Sequence, residues 1–575
     1  MYFKHFILGA VSLVISCAPQ THQQTTDLPI LNYKLTPVLD DASGNNLIIE
    51  LNFIGDTDGE TEVVLGQAWA DEQAPWERFK DIKLSSEGQT LTFNQTSDRL
   101  TVSHEANTPL KLTYHLNQND GRDANGDSGF YYAPVLNDNI YHLIGYTSLA
   151  LPVIETRNEA GQRAARVRLN WDIPENWQSA ASFDSQAKTN IPFDDIFRTA
   201  FMAGDFNVNS RPIGDKQLKV IMIGAWSFSE AQFADKLSRI LMALNTSWHD
   251  SPVDYQVSLL PLPSTPNASS FTGTGLNHAF AAVGTENVNL DFLTGFLTHE
   301  MTHDWIPNRL GHFPSCPDEN IDCAAGIYWF SEGFTDFYTL ALLRNYQLIS
   351  DEIFIKKTNE NLREYYLSPA RNVSNIKIQK DFWTNLDIER QPYLRGFFLA
   401  LNWNHEVMIK TKGKETLFDA LRSLKDKAAE SETVPELTQN YLAKHFSGWI
   451  GRDLTSDLEA YIINGETVTP NPEAMGACAT LNIQDVFTYD LGFDVNTSLG
   501  TGIFSGVETH HNAYVAGLRD DMAFVQKLEG GGGDTTRPII LEVKDKSGLK
   551  KISYMPIGKD SLKVPQYARS INDEC

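Results

Sequence analysis

Two histidines and a glutamate stand together in His299-Glu300-Met301-Thr302-His303. Residues four apart on a helix share a face, so His299 and His303 can bring two imidazoles to one cation. Glu300 falls on the neighbouring stripe, close to such an ion but displaced from it. This arrangement supplies two zinc ligands and a carboxylate able to work on a water molecule. A short pattern with two free positions also arises by chance, so it needs a third ligand. Glu332 is the candidate, in Trp329-Phe330-Ser331-Glu332-Gly333-Phe334-Thr335-Asp336-Phe337-Tyr338, at the start of a strongly apolar helix. Asp336, one turn further on, would accept a hydrogen bond from a ligand histidine and fix its tautomer. The alternative for Glu332 is a helix N-terminal acid favoured by the dipole. For Asp336 it is a capping or solvated acid.

These residues need elements to hold them. Residues 291–303 read as a helix with Phe292, Phe296, His299 and His303 on one face. Ahead of it, 218–223 and 255–262 read as strands and 232–244 as an amphipathic helix. Residues 269–284, rich in Gly and Thr, read as an edge strand and loop. A small mixed sheet feeding such a helix fits an α/β catalytic domain. Over 28–190 the period is two instead. Ile49, Leu51 and Phe53 alternate with Glu50 and Asn52, and Leu110, Leu112, Tyr114 and Leu116 alternate with Lys111, Thr113 and His115. This predicts an antiparallel β domain with one buried face. Asp123-Ala124-Asn125-Gly126-Asp127 reads as a polar turn, with calcium as the alternative; Pro134 stands where an EF-hand loop needs Glu. After 345 the period is mostly helical, with candidate helices at 397–409, 415–424, 437–446 and 457–463. Residues 467–477 read as a linker, and short strands return from 480.

The formal net charge of −26 argues against nucleic acid or an anionic membrane surface as a partner. The first seventeen residues carry Lys4 and then an apolar run over 6–15, too short to span a bilayer. They read as a secretion signal. Its end, Val14-Ile15-Ser16-Cys17, resembles a bacterial lipobox, which would make Cys17 a lipidated mature N-terminus; the alternative is ordinary cleavage near Ala18. Residues 18–27 would then be a tether. This predicts a periplasm-facing lipoprotein of the bacterial envelope, held by its lipid alone, with Ala18 leaning towards the outer membrane. Among the other cysteines, Cys316 and Cys323 bracket a short loop and are expected to pair. Cys478 and Cys575 could close the last segment.

Beyond the metal motifs, Arg390-Gln391-Pro392-Tyr393-Leu394-Arg395-Gly396 and Asn512-Ala513-Tyr514-Val515-Ala516-Gly517-Leu518-Arg519-Asp520-Asp521-Met522 complete a pattern. Together with Trp305 it resembles the glycyl aminopeptidase family of gluzincin zinc metallopeptidases. The last block is similar to the PDZ domain many members carry. The resemblance implies a multidomain α+β architecture. A lipoprotein-type signal peptide (1–17) and tether (18–27) would precede an N-terminal antiparallel β domain (28–195). A thermolysin-like α/β zinc catalytic domain (196–345), a helical subdomain (346–466) and a C-terminal PDZ-like β domain (478–575) would follow. It implies one zinc per chain on His299, His303 and Glu332, with Glu300 as general base and later proton donor. Tyr393 would hydrogen-bond the developing oxyanion, and Asp336 would orient a ligand. Peptides would be the substrates, cut to release N-terminal residues, typically small ones. The PDZ-like domain would bind peptide or pack on the catalytic domain.

One departure concerns specificity. The family has a Gly-Gly-Leu-Glu-His stretch on the edge strand, whereas this chain has Thr274-Gly275-Leu276-Asn277-His278. Asn277 cannot supply a charge to a substrate amine, and Glu286 is the nearby acid that could substitute. Ile306 stands where the family often has Asn. Three functions follow: a zinc aminopeptidase, an endopeptidase on the same scaffold, or a catalytically inactive PDZ-bearing envelope binding protein.

Overall fold

The computed structural model describes residues 28–39, 46–69, 72–117, 133–262, 271–316, 320–531 and 533–570. Residues 1–27, read as a signal segment ending at Cys17 and a tether, residues 123–127, read as a polar turn, and Cys575 lie outside the described residues. The protein is a multidomain mixed α/β molecule with several sheets. The described residues divide into two compact units, one drawn from 28–117, 133–175 and 184–203, the other from 176–183 and 204–570.

In the first unit, alternating apolar residues build a seven-stranded sheet in which Asn46–Ile54 lies between Ile30–Val38 and Pro109–Asn117. Ile49 pairs with Tyr114, Leu51 with Leu112 and Phe53 with Leu110, all on the buried face. The expectation of a wholly antiparallel domain is corrected at one place. Ile30–Val38 runs parallel to Ala164–Trp171. A period of two marks a buried face and carries no information on strand direction.

The second unit opens on a five-stranded sheet. Its strands are β1 (Asn209–Ile213), β2 (Lys216–Met222), β3 (Tyr255–Pro261), β4 (Phe271–Leu276) and β5 (Ala279–Gly284), in the order β1-β2-β3-β5-β4. β2, β3 and β5 are parallel, and β4 is an antiparallel edge strand on β5. Helix α1 (Glu230–Trp248) starts at a capping box of Ser229 and Gln232 and buries Phe233, Leu237, Ile240, Leu241 and Leu244. Helix α2 (Leu290–Thr302) follows β5, capped by Asn289. Helix α3 (Gly333–Asn345) packs against it, and α4 (Asp351–Leu367) and α5 (Leu386–Thr411) pack on α3 and on each other within one apolar core.

Helix α5 begins well before the 397 expected from periodicity, because Pro392 lies inside it. Proline breaks an isolated helix. Here Ile388, Pro392, Leu394, Arg395 and Gly396 are all buried, and packing carries the helix through. At the C-terminal end, β6 (Ala479–Tyr489) pairs with β10 (Ile557–Arg569) as a long ribbon. β7 (Ala523–Glu529), β8 (Ile539–Asp545) and β9 (Gly548–Tyr554) form a second small sheet. The ribbon docks on α4 through Asn359, whose amide donates to the Tyr567 carbonyl at 2.7 Å and accepts from its N–H at 2.8 Å. Among the described residues, no helix is long and apolar enough to cross a membrane.

Candidate metal centre

Helix α2 is buried along Leu293, Leu297 and Met301, beside the face that carries Phe292 and the histidines. Phe292 is 56% exposed. The histidine face must stay open to a cleft, so the core takes the neighbouring face. Phe296 marks the boundary: its ring meets Phe271 of β4 edge-on at 4.9 Å. Thr294, Thr298 and Thr302 form a buried ladder, each hydroxyl donating to the carbonyl one turn back.

The helix ends at Thr302, and His303 follows at φ −63°, which keeps its side chain in phase with His299. The two Nε2 atoms are 3.1 Å apart. Each is 3.3 Å from Glu332 Oε2. Donors held by one zinc ion at about 2.0–2.1 Å in a tetrahedron are separated by about 3.3 Å. The three therefore converge at ligand spacing. Their remaining atoms are spoken for. His299 Nδ1–H donates to Asp336 Oδ1 at 2.8 Å, and His303 Nδ1–H to the Ile306 carbonyl at 2.7 Å. Ser331 Oγ donates to Glu332 Oε1 at 3.1 Å. Both imidazoles thus present a lone pair at Nε2, and Glu332 presents Oε2. Ile306 acts through its carbonyl, so the departure from Asn at that position leaves this contact intact.

The electrostatics favour positive charge at the same point. Burial disfavours charged histidine, but Asp336 and Glu332 outweigh it and raise the His299 pKa well above its ordinary value. Burial opposes the Glu332 carboxylate too, yet the two histidines hold its pKa far below the usual range. A divalent cation would satisfy this set without protons. Glu300 differs, being shifted upward chiefly by burial and only partly pulled back by the histidines. A carboxyl moved towards neutrality is a better proton acceptor at neutral pH.

Tyr393 arrives from α5. Its ring lies 6.3 Å from that of His299, inclined by 21°. Burial, then the Glu332 and Asp336 carboxylates, push its phenol well above the usual value, so it stays a donor. The Arg390 guanidinium sits 5.0 Å over the same ring and is pinned to Glu364 by bonds of 2.8 and 3.3 Å.

Two glycines set the approach of α5 to Glu332. A Cβ on Gly333 would lie 2.4 Å from Gly396 Cα, and one on Gly396 would lie 1.8 Å from the Trp329 carbonyl oxygen. The helices meet backbone to backbone there, one residue from Glu332 and three from Tyr393. Asn277 occupies the two-residue turn between β4 and β5, beside His278 at φ 53°. Glu286 accepts a hydrogen bond from the Ala225 N–H, so it is engaged in holding a loop. Cys316 and Cys323 form a disulfide, and Cys478 is disulfide-bonded as well.

Ser331, the Ile306 carbonyl, Arg390 with Glu364, and the Gly333–Gly396 contact had not been assigned roles from sequence. Only the glycines carried a signal, as glycines inside apolar helical blocks.

Fold and site define a zinc metallopeptidase. Residues 293–392 match the family model of the M61 glycyl aminopeptidases, a segment that contains His299, Glu300, His303, Glu332 and Asp336 and stops beside Tyr393. The fold is shared with an aminopeptidase N family protein from Idiomarina loihiensis, at 14% identity and a TM-score of 0.63, covering 94% of this chain and 98% of that one. An M1 zinc metallopeptidase from Deinococcus radiodurans is more distant, with 15% identity, a TM-score of 0.44, and coverage of 77% and 96%. No curated protein matches the sequence.

Proposed function

We propose that the protein is a zinc aminopeptidase that releases small N-terminal residues from peptides. The observation that carries the metallopeptidase reading is the convergence of His299 Nε2, His303 Nε2 and Glu332 Oε2 within 3.1–3.3 Å, both imidazole tautomers set by acceptors behind them. The release of N-terminal residues rests on the family resemblance.

His299, His303 and Glu332 would hold one zinc ion. Zinc in a three-ligand site lowers the pKa of water to about 7 and polarises a carbonyl. Asp336, the Ile306 carbonyl and Ser331 keep the ligands aimed. Glu300 takes the proton of the attacking water and returns it to the leaving amine. Tyr393 donates its hydroxyl to the oxyanion that develops on the substrate carbonyl. Arg390 packs over the Tyr393 ring and steadies it.

Asn277 and the engaged Glu286 favour a second reading, an endopeptidase on the same site. Short peptides with free and with N-acetylated termini separate the two. The aminopeptidase reading predicts that acetylation lowers kcat/KM by about a hundredfold or more, since a site built for a charged group rejects the analogue lacking it. Equal rates on both forms would establish the endopeptidase.

The rest of the proposal concerns placement. Residues 1–17 support export and lipidation at Cys17, with the catalytic unit facing the periplasm. The C-terminal module, PDZ-like in its sequence block, is proposed to pack on the helical region and not to recruit peptides. The pairing of Asn359 with the Tyr567 main chain supports this.

A further inference from the structure

An aromatic surface beside the metal centre is used by none of the steps above. Tyr328 stands four residues before Glu332, whose N–H donates to the Tyr328 carbonyl at 2.8 Å. The two side chains therefore leave the same face of one helical turn. Tyr328 is half-buried. Its ring is 5.9 Å from Phe313 and 4.8 Å from Phe382, and Phe382 is 4.9 Å from Trp383. Tyr328 and Tyr393 pack on one small apolar cluster that includes Ala325, Ile378, Phe382 and Ile388. Tyr328 thus shares its packing with the tyrosine that lies beside His299.

Its outer rim is apolar and exposed. Trp383 is 72% exposed and Leu386 is 78% exposed. Leu386, Arg390 and Tyr393 are spaced by four and three residues, so they follow one face of α5. The exposed indole is nevertheless held in place. Its N–H donates to Asp322 Oδ2 at 2.9 Å, while Asp322 Oδ1 accepts from the N–H groups of Ala324 and Ala325 at 2.9 and 3.2 Å. The Cys316–Cys323 disulfide closes that loop. A fixed aromatic group costs little conformational entropy on binding, which suits it to receive an apolar partner.

We propose that Tyr328, Trp383 and Leu386 form a subsite that takes a bulky aliphatic or aromatic side chain next to the scissile bond of the peptide substrate. This rests on the peptidase reading and adds a substrate class to it: peptides whose small first residue is followed by a large apolar one. Asp322 and the disulfide are positioning elements for the indole.

The test uses the full chain loaded with zinc and a tripeptide panel in which Gly, Leu or Phe occupies the first or the second position. The expected result is a preference for Leu or Phe over Gly of about tenfold or more at the second position, after the small first residue. Trp383→Ala and Leu386→Gln, both at exposed positions, should each cut that ratio several-fold. No preference in the wild type, or equal losses on glycyl and phenylalanyl peptides in both variants, overturns the subsite. Calorimetric binding of the same peptides to zinc-loaded Glu300→Gln gives a readout without turnover. Tighter binding of Phe peptides there, weakened by Trp383→Ala, supports the subsite even where no peptide is cleaved. Absence of cleavage by the wild type would count against the peptidase reading alone.

Discussion

Glu300→Gln is expected to keep one zinc ion per chain and to lose about 10²–10⁴-fold in kcat. That loss corresponds to roughly 3–5 kcal/mol in the activation barrier. The amide has the shape of the carboxylate but cannot accept the proton of the attacking water. Glu300 is not among the three converging donors, so the metal should stay. Its environment fits the assigned step, since burial lifts its pKa while the neighbouring histidines limit the rise. Elemental analysis of the purified variant, beside kcat on a short free peptide, checks both halves. Unchanged turnover would remove Glu300 from the mechanism, and loss of zinc would make it a ligand.

Gly396→Ala carries the largest expected effect on stability. Helix propensity alone predicts a gain of about 1 kcal/mol in the middle of a helix. Contact predicts the opposite. The new methyl would sit 1.8 Å from the Trp329 carbonyl oxygen, 2.7 Å from its carbon and 2.8 Å from Gly333 Cα. All three are backbone atoms, so no side chain can swing away. Helix α5 must retreat, at a cost of about 3 kcal/mol or more. Retreat also draws Tyr393 away from His299, so folded variant should hydrolyse peptides slowly. Gly448, inside the helix Gln439–Ile450, is the control, because nothing lies within 4 Å of an added Cβ there. Gly448→Ala should leave thermal stability equal or raised, whereas Gly396→Ala should lower the midpoint by roughly 5 °C or more. Equal behaviour of the two would mean that the helices do not meet as closely as described.

How much was legible in the sequence depended on the range of each interaction. His299, His303 and Glu300 were readable because ligand spacing on one helix is local. Asp336 was readable for the same reason relative to Glu332, and the structure places it against His299. Tyr393 came only through the resemblance, since no local rule links it to a helix ninety residues earlier. The groups that aim the ligands were harder. The partner of His303 is a main-chain carbonyl, which any residue at 306 would provide, and Ser331 reads as an ordinary helix-start serine. The Arg390–Glu364 pair joins two helices whose contact no periodicity reveals. The parallel pairing of Ile30–Val38 and the passage of α5 through Pro392 were missed because tertiary packing overrode a local rule. Phe292 shares the histidine face as read, and its exposure was not legible because the apolar pattern does not record which face a cleft must keep open.

Titration of the metal-stripped chain with zinc tests the central claim most directly. Peptide hydrolysis should be absent after stripping, rise linearly with added zinc and level off at one ion per chain. Glu332→Ala should neither hold the ion at that concentration nor recover activity. Hydrolysis that survives stripping, or a Glu332→Ala variant that binds zinc and turns over like the wild type, would contradict the site of His299, His303 and Glu332.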